Sequence, residues 1–113
     1  MKITANGIDF ICRIDGPEGA PWLTFSNSLN TNLSLWDGQV AALSDRYRIL
    51  RYNTRGHDGT GTPAGPWDLE DLATDIVALW DALGITKSHF VGLSIGGMTG
   101  QALALGWPDR IGA

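Results

Sequence analysis

The pentapeptide Gly92-Leu93-Ser94-Ile95-Gly96 has the residue types and spacing of a serine held on a sharp strand-to-helix turn. A hydroxyl so placed could attack an ester or lactone carbonyl, given a base to take its proton and amides to hold the oxyanion. The two glycines lack a Cβ, so strand and helix can approach closely there. A helix opening at Ile95 aims its free N–H groups and positive end at the serine, which makes the Ile95 N–H a candidate oxyanion donor. A second donor is expected from the loop after the third strand, and its distance from Trp36 points to Leu29. A bare match to this pattern also occurs in plain structural turns. Here an apolar run, Ser88 to Val91, precedes it and a helical run, Ile95 to Leu105, follows it.

Such a serine needs a base and an acid, which normally follow it in the order Asp/Glu, then His. No histidine follows Ser94 in the sequence. The chain is therefore expected to be the nucleophile-bearing part of a larger machine. Its acid and histidine would come from a missing or separate C-terminal part. Two histidines precede Ser94. His89 lies five positions earlier on the same strand, roughly 16 Å away at ~3.3 Å per residue, so it is excluded as the base and expected to cap a strand end. His57 follows the strand ending at Tyr52, on the same sheet edge as Ser94, and stays open as a base. Asp75 and Asp109 read as an exposed helix position and a surface turn. Most tryptophans read as core, with Trp67, in a long loop, the candidate for lining a pocket.

The elements that must position these groups follow from local pattern. Ile3 to Ala5 and Ile8 to Ile14 flank Asn6-Gly7, a two-residue hairpin signal. Gly16 to Pro21 is a turn, Trp22 to Phe25 a buried strand and Ser26 to Ser34 a polar loop. A helix is expected from Leu35-Trp36 to about Leu43, and a strand over Tyr47 to Tyr52. A Gly/Pro-rich loop runs from Asn53 to Trp67. Asp68 caps the next helix, with Asp71 supporting its start by charge. Leu69, Leu72, Ile76, Leu79, Trp80 and Leu83 recur at helical spacing, and Gly84 ends the run. The last helix stops near Gly106-Trp107-Pro108. The order predicts an α/β fold: an antiparallel hairpin leading into a parallel sheet with helices on both faces. The strand before Ser94 is expected to be central. Its own helix would cover one face, the Leu69–Leu83 helix the other, and a further strand would lie beyond Ile111.

Composition narrows the classes. The 113 residues amount to one domain or less, with 43% hydrophobic and 18% charged residues. A net charge of −4 gives no reason to expect nucleic acid or an anionic membrane as partner. Arg46, Arg48, Arg51 and Arg55 cluster at strand-and-loop spacing and read as edges of the fold. The single cysteine, Cys12, fits a reducing compartment. No signal-peptide pattern opens the chain, and no segment reaches the roughly 20 apolar residues of a membrane span. A cytoplasmic location is the expectation.

Three stretches carry a resemblance to a known family: Phe25 to Asp37, with Asn27-Ser28-Leu29 where most relatives have His-Gly; Leu50 to His57, containing Arg55-Gly56-His57; and Gly92 to Gln101. Through them the chain resembles the α/β-hydrolase superfamily, and within it the 3-oxoadipate enol-lactonases of aromatic degradation. It looks like the N-terminal part of such a domain, residues 1–113, ending after the nucleophile helix and incomplete as a single chain. The resemblance implies hydrolysis of a small ester or lactone through an acyl-enzyme on Ser94. It also implies an oxyanion hole from the backbone N–H groups of Leu29 and Ile95, and neither metal nor organic cofactor. The implied partner is a complementary C-terminal hydrolase chain carrying Asp and His. Two departures touch loops near the expected pocket: Asp58 and Asn30 stand where such relatives commonly have glycine. In the family, His57 belongs to a structural Arg-Gly-His turn. The alternative is a non-catalytic truncated fragment or interaction module.

Overall fold

The architecture grows from the hairpin. The chain was analysed as a computed structural model that describes residues 1–63 and 65–113; Ala64, inside the loop expected over 53–67, lies outside the described residues. Strand β1 (Lys2–Ala5) pairs antiparallel with β2 (Ile8–Asp15) across Asn6-Gly7, whose φ values of 50° and 72° are those of a tight hairpin turn. Strand β3 (Trp22–Ser26) follows, then a 3-10 turn (Leu33–Trp36) that runs directly into helix α1 (Asp37–Leu43). The helix expected from Leu35 thus begins two residues earlier, because the Asn32 side chain accepts the Ser34 N–H and starts the turn. Strand β4 (Arg48–Tyr52), helix α2 (Leu69–Leu83), strand β5 (His89–Gly92) and helix α3 (Ile95–Gly106) complete the order. Asp68 and Asp71 form a full capping box at the start of α2, and Gly84 closes it at φ 71°.

The five strands lie in the order β1-β2-β4-β3-β5. β2 runs antiparallel to β4, while β3 is parallel to both β4 and β5. The C-terminal ends of β3, β4 and β5 therefore share one edge, where ligands of α/β sheets characteristically bind.

Two apolar clusters sandwich the sheet. On one face Phe10, Leu50 and Tyr52 pack with Ile76, Leu79 and Trp80 of α2 and Leu103 of α3. On the other, Trp36 and Val40 cover Leu23, Phe25 and Ile49, with the Phe25 and Trp36 rings stacked at 4.6 Å. Cys12 sits in the first cluster, and burial pushes its thiol up to about 12. A short polar chain crosses the interior: Trp80 Nε1 donates to Thr24 Oγ1 at 3.0 Å, and Thr24 Oγ1 meets Ser88 Oγ at 2.9 Å.

Several expectations are corrected. Helices α2 and α3 pack on the same face, and the opposite face is covered by α1. A helix stripe specifies that one side is buried, but not which face of the sheet receives it. Strand β5 is not central among the described strands but borders the sheet. Its outer side bonds instead to residues 110–113: Ser88 N–H to Arg110 O, Gly112 N–H to Ser88 O and Phe90 N–H to Ala113 O, at 2.9–3.0 Å. Ile111 forms a parallel bridge with Ser88, so pairing on that side starts where the further strand was expected.

Two of the clustered arginines are interior rather than edge residues. Arg51, 2% exposed, bonds Asp37, Asp15 and the Leu33 carbonyl. Arg55 makes a two-pronged pair with Asp75 at 2.6 and 2.7 Å, and Asn6 Nδ2 donates to Asp75 Oδ1 at 2.9 Å. Asp75, expected on the exposed side of its helix, is 2% exposed. Its carboxylate raises the pKa of the Arg55 guanidinium against the opposing effect of burial.

Removing one member of such a pair strands the other charge in a dry interior. Asp75→Ala is expected to lower the unfolding free energy in urea by about 3–5 kcal/mol. Asp81→Ala, which breaks only the more exposed Arg110–Asp81 pair, is expected to cost less than about 1 kcal/mol. Equal losses in the two variants would contradict this ranking.

Candidate active site

The turn after β5 is the tightest point of the shared edge. Ser94 has φ 57° and ψ −115°, a combination that costs a non-glycine residue on the order of 1–3 kcal/mol. It persists because its surroundings leave no alternative. Leu93 N–H donates to the Ser26 carbonyl at 3.1 Å, Gly96 N–H to Leu93 O at 3.0 Å and Met98 N–H to Ser94 O at 3.0 Å. Both glycines are needed for this approach. A Cβ on Gly92 would overlap the Gly96 carbonyl group, and one on Gly96 would overlap the Ser26 carbonyl oxygen.

Ser94 is exposed at the head of α3. Ile95, the first residue of that helix, has its amide among those that a helix leaves without an internal acceptor. Behind the turn, Ile95, Gly96 and Thr99 border a crevice formed with Asn27, Tyr52 and Arg55. Burial raises the Tyr52 pKa, partly opposed by its hydrogen bond to Ser26 Oγ at 2.7 Å. The phenol is thus held neutral, a fixed hydroxyl that joins the ends of β3 and β4.

The loop leaving β3 carries Leu29 and Asn30. It is anchored by Asn27, which is 1% exposed: its Nδ2 donates to the Tyr52 carbonyl at 2.9 Å, and its Oδ1 accepts from Trp36 Nε1 at 2.8 Å. In the sequence Asn27 shows only as a departure from His-Gly, and this double role, to partners 25 and 9 positions away, leaves no local signal. Leu29 stands out from the surface, 54% exposed. Asn30 has φ 58° and lines an open cavity of about 520 Å³ with Thr31, Asn32, Gly56, His57 and Asp58. Trp67 is not among those lining residues; its ring lies 5.8 Å from the Arg55 guanidinium. The turn joins Ser94 to Ile95, and the neighbouring loop at the same edge carries Leu29 and Asn30. Trp67 belongs to the long loop after β4.

The histidines are now distinguishable. His89 begins β5, at the opposite end of the strand from Ser94, with its ring edge-on to Tyr47 at 6.1 Å. His57 Nε2 accepts the Asn30 backbone N–H at 3.1 Å, so the ring proton sits on Nδ1, where it faces the Arg55 carbonyl at 3.1 Å. With both nitrogens engaged, the ring has no free lone pair for a serine proton.

Residues 21–113 match the model of the alpha/beta hydrolase fold. The chain belongs to the α/β-hydrolase family. It is 44% identical over 108 residues to 3-oxoadipate enol-lactonase 2 of Acinetobacter baylyi, covering 96% of this chain and 40% of that protein. A Caulobacter segnis protein named for carbamate hydrolysis is 38% identical over 118 residues, covering 97% of this chain and 43% of its own length. The crystal structure of the enol-lactonase from Burkholderia xenovorans LB400 superimposes with a TM-score of 0.95 at 49% identity, covering 98% of this chain and 44% of that one. The chain thus spans less than half the length of these relatives, and its elements are those of the N-terminal portion of the α/β-hydrolase fold. No described helix is long and apolar enough to cross a membrane.

The contact between Gly96 and Ser26 gives a direct test of the turn. Gly96→Ala is expected to destabilise the protein by about 1–3 kcal/mol in urea unfolding, as overpacking does. Gly106→Ala, at the other end of α3 where a Cβ meets nothing within 4 Å, is expected to be neutral or slightly stabilising. A neutral Gly96→Ala would mean that β3 and α3 are not in contact there.

Proposed function

We propose that this chain is the nucleophile-bearing part of a serine hydrolase acting on a small ester or lactone, with enol-lactones of the 3-oxoadipate type as the favoured class. The observation that carries the reading is Ser94 itself: an exposed hydroxyl on a backbone with φ 57°, at the head of a helix. The names of the Acinetobacter and Burkholderia relatives support the lactone class.

In this mechanism Ser94 Oγ attacks the carbonyl carbon as its proton passes to a histidine. The carbonyl oxygen becomes an oxyanion, held by the amides of Leu29 and Ile95; losing one such donor typically costs about 2.7–4 kcal/mol. The ring C–O bond then breaks, and the enol oxygen leaves with the proton that the histidine returns. It remains tethered to the acyl group. Water, deprotonated by the same histidine, attacks the ester on Ser94 and frees the acid. The enol then becomes a ketone, so an oxo-acid is the product.

The histidine and its acid partner come, in this reading, from polypeptide outside these 113 residues, with residues 1–113 as the N-terminal part of the domain. That polypeptide would extend the pairing begun by residues 110–113 and cover the apolar side chains beside it: Val91 and Leu93 are 42% and 46% exposed. Asn30 borders the substrate pocket in this reading, and Trp67, outside the cavity that Asn30 lines, would reach it only in the complete domain.

The test is active-site labelling of the full-length protein, or of the complete assembly, with a fluorophosphonate. One adduct is expected, on the peptide carrying Ser94, and Ser94→Ala is expected to remove both adduct and turnover. Labelling that survives in Ser94→Ala would overturn the assignment.

A further inference from the structure

We infer that His57 is a positioning residue: its neutral ring holds the loop of Leu29 and Asn30 where the Leu29 amide can serve as an oxyanion donor. The inference rests on the Ser94 reading above and assigns a role to a histidine that the chemistry itself does not use.

Three hydrogen bonds join the loops after β3 and β4, and a fourth braces the second loop. Asn30 N–H donates to His57 Nε2 at 3.1 Å, Asn32 Nδ2 to Asp58 Oδ2 at 2.8 Å and Leu33 N–H to Asn53 Oδ1 at 2.8 Å; within the second loop, Asn53 Nδ2 donates to the Asp58 carbonyl at 2.9 Å. The His57 contact is the one nearest Leu29 in sequence, and it acts on backbone rather than on a side chain. It fixes the peptide joining Leu29 to Asn30, and with that peptide the orientation of the preceding amide.

Backbone conformation makes the same point independently. Asn30 and Asp58 have φ values of 58° and 33°, in the region that favours glycine. Asparagine and aspartate tolerate it better than most residues, but it is still not their preferred state. Such residues persist where the surroundings over-determine them. Here they stand on either side of the cross-loop contacts, so the clasp holds both loops in their less favoured form. Without the acceptor at His57 Nε2, the Asn30 amide loses its partner and the loop can relax toward ordinary dihedrals, moving the Leu29 amide with it.

The ring must accept at Nε2 and be held at Nδ1. Glutamine offers an acceptor at comparable reach; leucine offers shape without an acceptor; asparagine offers an acceptor about one bond too short. In the full-length protein, with 4-nitrophenyl acetate as substrate, His57→Leu is expected to lower kcat about ten- to a hundredfold with KM changed less than about threefold, a fraction of the 10²–10³ loss typical of deleting a whole donor. The fluorophosphonate labelling rate of Ser94 is expected to fall in parallel, and His57→Gln to restore both to within a few-fold of wild type. Should His57→Leu fail to fold, by circular dichroism and urea unfolding, His57→Asn takes its place with the same expected loss. Labelling and kcat at wild-type levels in a folded His57→Leu or His57→Asn protein would overturn the inference. So would a folded His57→Gln protein as slow as the leucine variant, because it would give the imidazole a part in the chemistry. A wild-type protein that is not labelled at Ser94 would instead count against the parent reading, so the two failures are distinct.

Discussion

The approach of α3 to the end of β3 is the constraint on which the rest of the site depends. The Ser26 carbonyl accepts the Leu93 amide and lies against the Cα of Gly96. Strand, turn and helix are pressed together there with no side chain between them. Ser94 is left with a conformation it would not choose, facing outward. Bonds at the turn cost the serine its preferred dihedrals, while burial of Leu103, with Ala102 beside it, holds α3 on the core. The strain is local, but what sustains it is distributed across the sheet.

Around that contact the interior carries several polar side chains. Asn27, Tyr52, Arg55 and Asp75 are all buried at the same edge, and each is hydrogen-bonded. Buried polar groups of this kind add little net stability, yet they penalise every arrangement that leaves one unpaired. Here they specify how the exits of β3 and β4 sit relative to α2. Asn27 alone reads out the Tyr52 carbonyl and the Trp36 indole, so the start of the neighbouring loop is referenced to both faces of the sheet.

What could be read in advance was whatever is written locally. The Asn6-Gly7 turn, the Asp68 cap, the Gly84 stop and the Gly-x-Ser-x-Gly turn each depend on a handful of adjacent residues, and each lies where the pattern put it. Ser94 and Ile95 come from one such pattern. The failures concern relations between distant residues. An amphipathic stripe in α2 could not say that it shares a face with α3. Asp75 stands between Leu72, Ile76 and Leu79 on the buried stripe, so its inward position was legible. Its partner Arg55, twenty residues earlier, was not, and without a partner a carboxylate is expected in water. The bond from Asn30 to His57 spans 27 positions and leaves no local trace.

Parallel pairing of β3 with β4 and β5 has a kinetic corollary. The Ser26 carbonyl, which helps to fix the turn at Ser94, lies 68 positions earlier in the chain, and β3 must pair with β5 before it can act. Contacts of such high sequence separation pay their loop-closure entropy late and form slowly. Until β3 and β5 pair, nothing from Ser26 acts on the segment around Ser94. Its distinctive geometry thus belongs to the assembled topology and not to the pentapeptide alone.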